Sequence, residues 1–181
     1  MELLEELNTK SVVLVVATPE NYIDINTELL RYFCNKKKMK GIYVTVNKNY
    51  ETLSTFFKSN NIDVDRVFFI DSTIRPGLLR EKNCIYVGHP EDLTGISISI
   101  SRVFSMISEE SFLILDSITT MRSYNSPDKI AKFVHFLSAK LSGTKMKGIF
   151  LVQAVDQEII NKVASFVEGV IHSEKSSEKR A

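Results

Sequence analysis

Residues Ser11–Ala17 read SVVLVVA, an apolar run without alternation. Such a run predicts a strand covered on both faces. Ile25, Leu29, Leu30 and Phe33 then recur at helical spacing and predict an amphipathic helix from about Ile23 to Asn35. Lys36, Lys37, Lys38 and Lys40 close that helix at the negative end of its dipole, with Gly41 as its stop. Further strands are predicted at Gly41–Val46, Arg66–Ile70, Cys84–Val87, Phe112–Asp116, Gly148–Val152 and, briefly, Val170–Ile171. Helices are predicted at Met1–Leu7 (Leu3, Leu4 and Leu7 on one face), Tyr50–Lys58 and Asp156–Phe166. Ser126-Pro127-Asp128 is a helix start, with Ser as cap and Pro in the first turn; Ile130, Phe133, Val134, Leu137 and Leu141 mark its buried face. Leu93–Ser108 alternates locally as Ile96-Ser97-Ile98-Ser99-Ile100, but its length favours a helix with Ile96, Ile100, Val103, Phe104 and Ile107 inward. Arg75-Pro76-Gly77 signals a turn. Strands alternating with helices predict an α/β three-layer sandwich around a mainly parallel central sheet.

Composition narrows the function classes. The 181 residues suffice for one domain with a substantial core. Three segments are expected: a helical extension over 1–10, the main domain over 11–172, and a disordered tail over 173–181. A net charge of +1 gives no drive toward nucleic acid or an anionic membrane. The longest unbroken apolar run, Val12–Ala17, is far too short to span a bilayer, and the start MELLEELNTK has no signal-peptide pattern. A cytoplasmic protein with two buried thiols, Cys34 and Cys84, is the expectation. His89, His135 and His172 lack metal-ligand spacing, and His135 is expected to make a contact on a helix flank. Lys36–Lys40, Arg75, Arg80 and Lys82 lack interleaved aromatics and read as solvated faces. Asp156-Gln157-Glu158 places acids at the positive end of a helix.

The most telling segment joins the first strand to the first long helix. A nucleotide-binding protein carries G-x-x-x-x-G-K-[ST] there, with glycines for close approach, Lys on phosphate and a hydroxyl on magnesium. This chain has Ala17-Thr18-Pro19-Glu20-Asn21-Tyr22-Ile23-Asp24. Tyr22 stands for the second glycine, Ile23 for the lysine and Asp24 for the hydroxyl residue. The last two exchanges move the local charge by about two units toward negative; each unit ~5 Å from a phosphate charge is worth roughly 3 kcal/mol at an effective dielectric near 20. Glu20, Asp24, or Asn21 with Asp24, are expected to satisfy the helix N-terminus instead.

Three segments carry a resemblance: Leu93-Thr94-Gly95-Ile96-Ser97-Ile98, Phe112-Leu113-Ile114-Leu115-Asp116-Ser117-Ile118, and Ile130 through Leu137. With Phe166–Ile171 in the place of a closing D-G-V-I, the chain resembles the RecA-like ATPases of the KaiC type, including archaeal relatives, over Ser11–His172. The resemblance implies a P-loop NTPase fold in which Asp116-Ser117 is the Walker B terminus. It places the phosphate-binding lysine at Ile23, the magnesium-binding hydroxyl at Asp24, and the water-activating glutamate at Asn47 or Lys48. Only Asp116-Ser117 keeps its residue types, and one Asp cannot serve as phosphate clamp, metal site and general base together.

The expectation is a pseudo-ATPase: a regulatory or scaffolding protein-interaction module without cofactor, metal or catalytic residues. Its vestigial nucleotide site comprises Thr18, Pro19, Glu20, Asn21, Tyr22, Ile23, Asp24, Asn47, Asp116 and Ser117. Protein partners are expected, with homo-oligomerisation implied by family likeness alone. Two alternatives stand beside it: an ATP-binding protein or weak ATPase using ATP and magnesium, and an accessory factor in DNA recombination or repair.

Overall fold

The computed structural model describes residues 2–73 and 82–173. Seven strands form one sheet: β1 (Val12–Ala17), β2 (Lys40–Thr45), β3 (Val67–Asp71), β4 (Cys84–Tyr86), β5 (Ser111–Asp116), β6 (Met146–Gln153) and β7 (Gly169–Ser173). Their order is β4-β3-β2-β5-β6-β1-β7, and every pairing is parallel. The helices are α1 (Glu2–Thr9), α2 (Tyr22–Leu30), α3 (Tyr50–Ser59), α4 (Leu93–Phe104), α5 (Ile118–Met121), α6 (Pro127–Leu141) and α7 (Gln157–Ala164). The fold class is thus the α/β three-layer sandwich that the strand–helix alternation predicts.

Side-chain alternation builds two cores from one sheet. Val12, Leu14 and Val16 of β1, Ile42 and Val44 of β2, and Leu113 and Leu115 of β5 pack beneath α4, α6 and α7. Val13, Val15 and Ala17, Tyr43, and Phe112 and Ile114 face the other way, beneath α1, α2 and α3. All six residues of β1 and of β5 are buried, so neither strand needed a polar face, which is why both read as unbroken apolar runs. Leu3 and Leu7 anchor α1 in the second core.

Several local features differ from the sequence pattern. The helix after β1 changes pitch at Arg31–Lys36, a π-helical segment, and Lys38 ends it in the left-handed region at φ 57°. Gly41 is therefore no helix stop: it lies in β2, where a Cβ would sit 2.3 Å from ring carbons of Phe112. The bare glycine face accommodates that ring, which also stacks on Phe33 at 4.9 Å. Leu93–Ser108 is a helix as its length suggests, ending at Phe104. Ser126 caps α6 by accepting from Lys129 N–H, and Asp156 caps α7 by accepting from Ile159 N–H. Cys34 is buried, whereas Cys84 is only half-buried because β4 is a short edge strand. Ser173 belongs to β7, opposite Ala17, and not to a tail. Arg75-Pro76-Gly77, Arg80 and 174–181 lie outside the described residues. No helix among the described residues is long and apolar enough to cross a membrane.

Candidate functional site

The sheet order positions the site. β1 and β2 are consecutive in sequence, yet β6 and β5 lie between them. With strands about 4.8 Å apart, α2 must cross roughly 14 Å of sheet to join them. Its first turns consequently sit over the carboxyl end of β5. Because β5 alternates, Asp116 shares the face of Phe112 and Ile114, the face α2 covers. Carboxyl ends of parallel strands are where α/β sheets bind their ligands.

Asp116 is the centre of a buried polar cluster. The Tyr22 hydroxyl donates to Oδ1. The Tyr43 hydroxyl donates to Oδ2 and lies 3.0 Å from Oδ1 of Asn26. Asn26 Nδ2 donates to Oδ2 at 3.2 Å. Tyr22 and Asn26 are four residues apart on α2 and so project from one side of it. Tyr43 reaches the same carboxylate from β2. Burial pushes the Asp116 carboxyl above the usual carboxylate range, while the bonds from Tyr22, Tyr43 and Asn26 pull it back down. Burial, and next the adjacent Asp116 charge, hold both phenols well above their ordinary range.

The other predicted site residues are placed around this cluster. Thr18–Asn21 makes a four-residue turn closed by Asn21 N–H donating to the Thr18 carbonyl at 3.2 Å. None of its residues has positive φ. Asn21 occupies the cap position of α2, yet its side chain makes no capping bond; Nδ2 donates to the Ser173 carbonyl at 2.9 Å, tying the turn to β7. The expected Asn21–Asp24 cap is therefore not formed: Nδ2 is turned to β7, and Oδ1, the atom a cap would use, does not reach the helix N–H groups. Among the described residues, buried Thr18 Oγ1 and Asn21 Oδ1 have no hydrogen-bond partner. Pro19, Glu20 and Asp24 are exposed and Ile23 is half-buried. Asn47 and Lys48 are exposed in a turn beyond β2, stapled by Thr45 Oγ1 donating to the Lys48 carbonyl at 2.6 Å. The peptide joining Asp116 to Ser117 is cis, and Ser117 Oγ accepts from Thr120 N–H at 3.2 Å, capping α5. Of the predicted set, then, Tyr22 and Asp116 meet directly and Ser117 adjoins them.

Asn26 and Tyr43 complete the cluster and were not among the predicted residues. Their signal was present. A phenol inside the doubly covered strand GIYVTV must find a partner for its hydroxyl, and Asn26 lies on the apolar stripe of α2. At the end of β3, Asp71 is a second buried carboxylate, committed to Tyr50 N–H (2.8 Å), Thr73 N–H (2.9 Å) and the Thr73 hydroxyl (2.7 Å). His135 stacks on Phe166 at 4.7 Å, a contact on the flank of α6. Among the described residues no group of three or more His, Cys, Asp or Glu side chains could hold a metal ion.

Residues 11–172 match the model of DUF7504, a family of unknown function, and the chain belongs to that family. A comparison with curated proteins finds no significant match. Among solved structures, the chain is similar to the KaiC-like protein PH0186 from the hyperthermophilic archaeon Pyrococcus horikoshii OT3. That superposition has a TM-score of 0.66 at 16% identity and covers 93% of this chain and 74% of the other. The P. horikoshii OT3 protein PH0250 superposes with a TM-score of 0.61 at 12% identity, covering 92% of this chain and 83% of the other. The fold is accordingly KaiC-like and RecA-like.

Proposed function

We propose that this chain is a non-catalytic KaiC-like domain that acts through protein contacts and not through nucleotide hydrolysis. One observation carries the reading: Asp116, the only acidic residue kept at the expected nucleotide site, is spent on its own chain. A carboxylate offers about four lone-pair positions, and Tyr22, Tyr43 and Asn26 engage three of them. A magnesium-bound water would have to displace a buried phenol.

The surrounding groups fit a magnesium nucleotide no better. Ile23 supplies no cation, and Glu20 and Asp24 add negative charge where phosphates would lie. Without left-handed residues, Thr18–Asn21 lacks the alternating backbone that gathers N–H groups into an anion nest. The buried Asn21 Oδ1 is an acceptor and repels phosphate oxygen. The contact half of the reading is supported by a groove between α4 and α6, where Ile98 is 63% and Phe136 49% exposed. Adjacent exposed apolar side chains mark a surface that gains by being covered.

The test is a phosphate-release assay with ATP and magnesium on the purified protein, with in-cell crosslinking alongside. Release no faster than buffer is expected, as is crosslinking to other proteins that falls when Ile98 and Phe136 are changed to Lys. Turnover that scales with protein and disappears in Asp116→Ala would overturn the proposal.

A further inference from the structure

We infer that the cleft at the amino-terminal edge of the sheet, opposite the Asp116 cluster, binds a small dianionic molecule of the phosphomonoester type. The cleft holds about 400 Å³ and is walled by α1, the π-helical segment, and the starts of β5 and β6. That volume lies within the range of small-ligand sites.

Its charge is one-sided. Lys37, Lys145 and Lys147 line it against the single acid Glu110, a local balance of three positive charges to one negative. The nearby acids Glu6 and Glu109 are already paired, with Lys10 and with Lys40. The whole chain carries only +1, so this concentration is local. In sequence the Lys36–Lys40 run reads as a solvated face. The fold brings part of it beside Lys145 and Lys147, more than a hundred positions away.

Two of the three ammonium groups are held in place. Lys147 Nζ donates to the Lys10 carbonyl at 2.8 Å and to the Asn8 carbonyl at 3.4 Å. Lys37 Nζ lies 5.6 Å from the centroid of the Tyr32 ring, and the Tyr32 hydroxyl is fixed by donating to Asn8 Oδ1 at 2.7 Å. Lys145 is exposed and makes no ion pair among the described residues. Of the lining apolar groups, Leu7, Phe33 and Met146 are each only 2% exposed and Met39 is half-buried, so apolar contact is confined largely to Met39. Recognition must therefore rest on charge and polar donors. A phosphomonoester carries about −1.5 to −2 at neutral pH, which matches the excess of two positive charges. The engaged Tyr32 ring leaves no free platform for a nucleobase, which separates this site from a single-strand binding surface.

The experiment titrates ¹⁵N-labelled full-length protein with glycerol 3-phosphate at constant ionic strength and without magnesium. Inorganic phosphate and malonate serve as parallel probes. Saturable shifts are expected at Ser11, Lys37 and Thr144–Lys147, with phosphate following the same residues more weakly and malonate weaker still. Lys37→Glu with Lys145→Glu should weaken binding at least ten-fold at unchanged melting temperature, while Lys129→Glu on the far face should not. Shifts that rise linearly without saturation, that malonate reproduces at equal affinity, or that survive the double variant would each overturn the assignment. Magnesium independence and the K37E/K145E response keep this outcome separate from nucleotide binding at Asp116.

Discussion

Replacing Tyr22 by Phe removes one hydroxyl and leaves the ring, so it probes the Asp116 cluster with little change in packing. The lost interaction is a hydrogen bond donated to a buried carboxylate. Bonds to charged groups contribute about 1.5–3 kcal/mol, and neutral ones about 0.5–1.5 kcal/mol. The cost should therefore depend on the protonation of Asp116. Burial raises its folded pKa above the unfolded value near 3.9. Folded protein thus binds the proton more tightly than unfolded chain, and the Asp116 contribution to stability falls as pH rises from the unfolded pKa through the folded one. Tyr22 opposes that fall, because its bond favours the ionised form. In Tyr22→Phe the folded pKa climbs further and the penalty at high pH deepens. The expected loss is about 2–3 kcal/mol where Asp116 is ionised and about 1 kcal/mol where it is protonated. For a chain of this size the larger loss lowers the melting temperature by about 4–12 °C. Urea denaturation of both proteins between pH 4 and 8.5 measures it. A loss below about 0.5 kcal/mol, or one that does not change with pH, would refute the central role given to the Tyr22–Asp116 bond.

Gly41→Ala should destabilise by about 1–3 kcal/mol or more, because the new methyl must displace the Phe112 ring stacked on Phe33; chemical denaturation checks this, and a neutral result would mean that the ring has room to move. Burial, and next the Asp63 charge, push the Cys34 thiol up to about 12, so a disulfide reagent at pH 8 should modify half-buried Cys84 quickly and Cys34 only after unfolding. Equal rates in native protein would show that Cys34 is reached without unfolding. Asn21→Ala should cost about 1 kcal/mol and speed amide exchange in β7, since it frees the Ser173 carbonyl; unchanged exchange at Val170–Ser173 would mean that β7 is held by β1 pairing alone.

The strands most legible in the sequence were β1 and β5, because burial on both faces leaves an unbroken apolar run. The α6 start was legible because Ser126-Pro127 encodes a cap directly. Legibility failed where a tertiary contact decided the outcome. Gly41 resembles a helix stop until Phe112, far along the chain, is seen to need its missing side chain, while Lys38 takes the left-handed conformation. Asn21 resembles a cap, but in the fold its Nδ2 faces β7 and its Oδ1 makes no capping bond. The candidate site was half visible: Tyr22 and Asp116 stand out against a nucleotide-binding pattern, but Asn26 and Tyr43 become partners only once the sheet order lays α2 across β6 and β5. The amino-edge cleft was invisible for the same reason, since Lys37 and Lys145 are neighbours only in the fold.

Isothermal titration of the purified protein with ATP, in magnesium and in parallel with EDTA, tests the proposed loss of nucleotide binding most directly. The expected result is no magnesium-dependent heat at ligand concentrations up to about a millimolar, with any weak heat identical in EDTA. Saturable, magnesium-dependent binding in the micromolar range, lost in Asp116→Ala, would contradict it.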